Sequence, residues 1–208
     1  MELQVESQRI VTVCAGVGSS GKTTFALRYL VNREFACRFI FDPEGEAAQR
    51  LQLEPTGDAF DLARHIVRGW VLFHPEKLFG SNFEAAFAFF CEWVFEKSRL
   101  FPGRKILMVD EVWKLCPNRT ITSELQDCVR TGRKRELETL FNTQTPNQLP
   151  DVILNEVSEF VAFRLQSNPA LTLAEARGFQ RAELAALPDL SFVSRTDRGG
   201  ERRGRIKI

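Results

Sequence analysis

Short apolar runs alternate along the chain with longer segments in which apolar positions recur every three or four residues. Residues 10–14 (IVTVC) are apolar and largely β-branched, with no polar alternation, which predicts a strand buried on both faces. A glycine-rich stretch follows, then helical spacing over 23–31. Residues 38–41 predict a second strand, closed by Asp42-Pro43, and 61–68 a helix before a third strand at 70–73. Residues 83–99 predict a long helix rich in Phe and Ala, ended by the turn Pro102-Gly103. A fourth strand at 105–109, a helix at 122–129, strands at 137–141 and 160–165, and a short helix at 173–179 complete the series.

Strands alternating with helices predict an α/β fold with a mainly parallel sheet and helices on both faces. The end of the chain reads differently. Residues 191–195 and 203–208 flank the turn-forming residues 197–200, so an antiparallel hairpin is expected there. The expected organisation is one domain over 1–208, with a core at 10–165 and a C-terminal helix and hairpin at 166–208.

Composition narrows the class. Of 208 residues, 44% are hydrophobic and 26% charged, which suits a single globular domain with a sizeable core. The net charge of +1 excludes a bulk field toward nucleic acid or membrane. Any nucleic-acid contact must come from a local basic patch or from several copies acting together. Cys14, Cys37, Cys91, Cys116 and Cys128 are odd in number and form no C-x-x-C pair, so reduced, buried thiols are expected. His65 and His74 have no ligand spacing with them, which argues against zinc. Residues 1–8 are polar and unlike a secretory leader, and the apolar stretch 85–95 is broken by Glu92 and too short to span a bilayer. The expectation is a protein without a membrane span, in the cytoplasm.

The chemistry is concentrated in a few places. GVGSSGKT at 16–23 fits G-x-x-x-x-G-K-[ST] in full. Such a loop turns successive backbone N–H groups toward phosphates, which needs backbone shapes that glycine tolerates. The helix that follows adds its positive dipole end. By average residue usage the pattern arises by chance in on the order of one chain in a hundred of this length, and its position between a strand and a helix makes chance rarer still. ATP contacts are therefore assigned to Gly16, Val17, Gly18, Ser19, Ser20, Gly21, Lys22, Thr23 and Thr24. Lys22 is to reach the β/γ-phosphates, and the Thr23 hydroxyl is to ligate Mg²⁺.

Residues 106–111 (ILMVDE) are an apolar strand ending in two acids. Asp110 is assigned to Mg²⁺ and Glu111 to polarising the attacking water; two solvated acids at a strand end is the plainer alternative. Gln144, after the fifth strand and before Pro146, is the candidate γ-phosphate sensor. The densest basic cluster is RTGRKR at 130–135. It can be an arginine finger for a neighbouring subunit, expected at the rim of the nucleotide face because the turn immediately precedes the Gln144 strand, with Arg133 first and Arg130 second and Gly132 turning the chain outward. Beside this first reading stand a solvated loop and contact with a DNA backbone.

Together these blocks resemble the FtsK–HerA superfamily of ring-forming DNA pumps. The resemblance is carried by the P-loop, by FDPEGE at 41–46, by Asp110-Glu111, and by TQTP at 143–146. It covers about residues 10–165 and implies a RecA-like P-loop fold of the additional-strand, catalytic-glutamate kind. A bare motor core of this size is similar to the genome-packaging ATPases of tailless, membrane-containing icosahedral viruses. The resemblance implies a homo-oligomeric ring, hexameric, that threads double-stranded DNA and docks on a capsid or portal-vertex protein, in the host cytoplasm or at a packaging vertex. The glycines are spaced Gly16, Gly18, Gly21, where the family often has G-x-x-G-x-G-K. Two other readings stand beside it: a P-loop kinase with Arg130, Arg133 and Arg135 as a lid, and a nucleotide-dependent assembly switch. No N-K-x-D guanine-reading motif is present.

Overall fold

A computed structural model describes residues 10–207; the polar segment 1–8 and the final residue of the expected hairpin lie outside them. The chain runs β1 (Val11–Ala15), α1 (Lys22–Val31), β2 (Cys37–Phe41), α2 (Glu46–Leu51), α3 (Ala59–Val67), β3 (Trp70–Phe73), α4 (Glu76–Phe79), α5 (Phe83–Ser98), β4 (Lys105–Val109), α6 (Ser123–Arg130), β5 (Leu137–Thr143), α7 (Asp151–Glu156), β6 (Glu159–Ala162), α8 (Asn168–Ala176), α9 (Arg181–Ala186), β7 (Ser191–Thr196) and β8 (Glu201–Arg205). These strands form one eight-stranded sheet in the order β3-β2-β4-β5-β1-β6-β7-β8. β1 to β6 are parallel, and the last two strands add antiparallel. The expected α/β fold with a terminal hairpin is the fold observed.

The central strands are apolar because both faces are covered. On β4, Leu107 and Val109 face one core with Phe41, Phe87 and Phe90. Ile106 and Met108 face the other with Leu30 and Phe163. Helices α1 and α2 cover the second face, and α5, α6, α7 and α8 the first. The Phe-rich character of α5 serves the first core: Phe90 stacks on Phe73 with ring centroids 5.0 Å apart. Each such fully buried ring contributes about 1.5–3 kcal/mol of transfer free energy.

Four helices were not legible in the sequence: α2, α4, α7 and α9 have six residues or fewer, too few turns for helical periodicity to separate from a loop. The helix expected at 173–179 begins earlier, at Asn168. Ser167 caps it by accepting from Ala170 N, and Pro169 sits in its first turn. The last strand is observed at Glu201–Arg205, short of the expected 203–208.

Candidate active site

Parallel strands bring their carboxyl ends to one edge, and β1, β4 and β5 lie side by side there. The loop after β1 is pinned across its neighbours: Gly16 N donates to Thr143 O at 3.2 Å and Val17 N to Arg164 O at 2.9 Å. A Cβ on Gly16 would lie 2.6 Å from Phe163 Cβ and 2.8 Å from Ser20 Oγ, so only glycine lets the loop pass this close. Gly21 has φ 108°, in the left-handed region, and opens α1 with no side-chain cap. The Ser20 hydroxyl is buried without a hydrogen-bond partner among the described residues.

The C-terminal hairpin braces the same loop. Leu190, with φ 65°, donates its N–H to Ser20 O at 3.2 Å and accepts from Ile206 N at 2.8 Å. A Cβ on Gly21 would lie 3.0 Å from Ile206 Cδ1.

Lys22, first in α1, is only 5% exposed. Its Nζ donates to Val17 O at 3.0 Å and lies 4.0 Å from Glu111 Oε1. Burial holds the Lys22 ammonium below its usual range, partly offset by Glu111 and Asp110. The Thr23 hydroxyl donates to Asp110 Oδ2 at 2.9 Å, while Asp110 Oδ1 accepts from Glu111 N, also at 2.9 Å. Glu111 itself is left-handed, φ 44° and ψ 45°. Its Oε2 accepts from Trp113 Nε1 at 2.7 Å and from Gln144 N at 3.1 Å. The Gln144 amide group comes close to the loop, 4.0 Å from where a Cβ on Gly18 would stand. Lys22, Thr23, Asp110, Glu111 and Gln144, far apart in sequence, thus meet along one cavity of about 750 Å³.

The Asp-Pro-x-Gly-Glu block has a structural use. Asp42 is buried, and its two carboxylate oxygens accept from Ala47 N (3.1 Å) and Ala48 N (2.8 Å), capping α2. That cap aims α2 along the cavity and delivers Arg50, a residue sequence reasoning missed. Arg50 Nη1 donates to Thr24 Oγ1 at 3.1 Å, and Nη2 pairs with Glu46 Oε1 at 2.6 Å. With α2 itself unseen, no sequence signal short of the capping Asp42 could have found it.

Arg130 and Arg133 were expected at the rim of the nucleotide face, and the structure corrects this. They end α6 and enter the 3₁₀ turn Gly132–Arg135 just before β5, and a turn preceding a parallel strand lies at the end of the sheet opposite the turn that follows it. β5 spans seven residues, about 20 Å at the usual rise, with the P-loop beside its far end at Thr143. There Arg130 Nε lies 4.0 Å from Glu156, and Arg135 sits over the Phe95 ring and pairs with Glu96. Gly132 does not free the chain to turn outward. It is buried, and a Cβ would stand 2.9 Å from Leu137 O.

The oxygen donors of Thr23 and Asp110 suit a hard cation such as Mg²⁺. The unpartnered Ser20 hydroxyl and a lysine folded onto its own loop carbonyl suit a phosphate chain. The fold and this loop geometry define a P-loop NTPase fold. Solved structures with the same fold include B204 of Sulfolobus turreted icosahedral virus 2, a genome packaging NTPase determined with AMP, AMPPCP, ATP-γS and sulfate. It is 13% identical over 96% of this chain and 98% of its own, with TM-scores from 0.72 to 0.75. VirB4 of Thermoanaerobacter pseudethanolicus is 11% identical over 100% of this chain and 92% of its own, with a TM-score of 0.71. The N-terminal domain of zonular occludens toxin from Neisseria meningitidis is 13% identical over 96% of this chain and 95% of its own, with a TM-score of 0.51. No protein-family model and no curated protein sequence matches the chain. Among the described residues, no helix is long and apolar enough to cross a membrane.

Proposed function

We propose that the chain is an FtsK–HerA-type ATPase whose ATP hydrolysis drives translocation of double-stranded DNA, as in viral genome packaging. One observation carries the ATPase: Lys22 and Thr23 after β1 meet Asp110 and Glu111 after β4 at the carboxyl edge of the sheet, with Gln144 at the end of the intervening β5. The packaging function named for B204, over nearly the whole length of both chains, supports the specific reading.

In this reading the loop amides and Lys22 hold the β- and γ-phosphates, Lys22 exchanging Val17 O for phosphate oxygen. Thr23 and Asp110 hold Mg²⁺, which neutralises charge on the phosphates when bound. Glu111 takes a proton from the attacking water as that water's oxygen bonds to the γ-phosphorus and the bond to ADP breaks. Gln144 reports whether the γ-phosphate is present. The working form is a homo-oligomeric ring, hexameric, which gathers basic side chains from subunits of charge +1 around the DNA. Its partners are the DNA and a capsid or portal-vertex protein, in the host cytoplasm. A finger role for Arg133 or Arg130 requires a ring in which the amino edge of one subunit meets the carboxyl edge of the next. The kinase reading loses its lid, since Arg130, Arg133 and Arg135 are remote from the P-loop of their own chain.

ATP turnover measured with and without double-stranded DNA, together with the particle mass, tests the reading. No turnover in any assembly state refutes the ATPase. Turnover indifferent to DNA in a demonstrated ring refutes the pump and leaves the ATPase.

A further inference from the structure

The carboxylate assigned as general base is held by more than its own strand. Glu111 Oε2 accepts two N–H groups, one from the Trp113 indole at 2.7 Å and one from the Gln144 backbone at 3.1 Å. Two donors fill the acceptor positions of that oxygen. The other oxygen, Oε1, faces Lys22 Nζ at 4.0 Å, where the phosphates belong. The left-handed backbone at Glu111 makes this possible. It starts the 3₁₀ turn Val112–Leu115 directly at the strand end and brings the ring two residues on back against the carboxylate. A glutamate holds that conformation only where its surroundings impose it.

We propose that Trp113 is a positioning residue for hydrolysis: its indole N–H fixes Oε2 of Glu111 so that Oε1 alone is presented to the attacking water. The proposal rests on Glu111 being the base. The competing account is that Trp113 is a packing residue, partly buried against the core, whose N–H takes the nearest acceptor. The two accounts differ in what happens when the carboxylate is gone. A positioning residue then has nothing left to position, whereas a packing residue matters as much as before.

Trp113 does not line the cavity, so its loss acts on turnover and not on ATP affinity. Trp113→Phe keeps a large ring and removes the donor. The expected result is a fall in kcat of about tenfold, the scale of a hydrogen bond to a charged group, with KM unchanged. In a Glu111→Gln background, single-turnover measurements should show no further loss when Trp113→Phe is added. An unchanged kcat in Trp113→Phe overturns the proposal. So does the same fractional loss in both backgrounds. Absence of turnover in the unsubstituted protein is a different failure, that of the ATPase reading itself.

If Trp113→Phe does not fold, the indole N–H resonances test the hydrogen bond that the proposal requires. The chain has three tryptophans, Trp70, Trp93 and Trp113. Glu111→Gln should shift one of the three resonances by removing the charge on its acceptor. Three unmoved resonances overturn the proposal.

Discussion

The Thr23 hydroxyl donates to Oδ2 of Asp110 across 2.9 Å, joining the first turn of α1 to the end of β4. Two oxygen-bearing side chains 87 residues apart are thereby held at one point, on the edge where Glu111 follows. The expected consequence is a shared role in holding the cation. Asp110→Asn should raise the Mg²⁺ concentration for half-maximal turnover about 10- to 100-fold, the usual effect of removing an orienting partner. Chelation should abolish turnover in the unsubstituted protein. Magnesium titrations of both proteins check this; identical curves would remove Asp110 from the cation site.

Lys22→Met should abolish turnover and leave the fold intact or firmer. Burial holds the folded-state pKa of Lys22 below its unfolded value, so between the two values the unfolded chain binds more protons and stability rises with pH. Met removes that window and the desolvation of an ammonium along with it. Thermal melts across alkaline pH should be flatter for Lys22→Met than for the parent. A large loss of stability would mean that the bond to Val17 O holds the empty loop together.

Arg50 contacts Thr24, next to the proposed Mg²⁺ ligand, and lines the same cavity as Lys22. We predict that Arg50→Ala raises KM for ATP about tenfold, as loss of one charge-assisted hydrogen bond does. Arg50→Lys should recover little, since a lysine cannot hold Thr24, Glu46 and a phosphate with one planar fork. Steady-state kinetics of the two variants give the answer, and an unaltered KM would confine Arg50 to bracing α2.

All five cysteines are buried. Burial pushes the Cys37 and Cys116 thiols up to about 12 and the Cys14 thiol well above its usual value. At pH 8 a thiol-directed reagent should therefore react only after denaturation. Raised folded-state values mean that the native chain binds more protons above about pH 9, so these groups' contribution to stability falls as the pH rises from there. Rapid titration of several thiols in the native protein would contradict the core described for β1, β2 and α5.

The P-loop and the Asp110-Glu111 pair were legible because each is a continuous sequence segment whose chemistry dictates its residues. Gly16, Gly21, Lys22 and Thr23 all answer to the same local demand. The strands were legible for a related reason: burial on both faces leaves runs such as residues 105–109 almost purely apolar. Arg50 was hidden because it depends on a six-residue helix started by a side chain four residues upstream. The misplacement of Arg133 has a topological cause. Nearness in sequence to Gln144 suggested nearness in space, but a parallel strand separates its two ends by its full length. Gly132, taken for a flexible point, is a close-packed one, and sequence does not distinguish the two uses of glycine.

The bond from Leu190 to Ser20, with Ile206 packed against Gly21, makes the nucleotide loop and the last strand a single unit of local opening. Amide hydrogens of β7 and β8 should exchange more slowly when a nucleotide is bound, although no motif residue lies in either strand. Cutting the chain before Leu190 should leave Lys22, Thr23, Asp110, Glu111 and Gln144 of the proposed ATP site in place and still weaken nucleotide binding, because the loop loses the bond and the apolar cover on its outer side. A bulky fusion after residue 208 would strain the same unit, so a tag placed there would pass for a defect in the proposed ATP site.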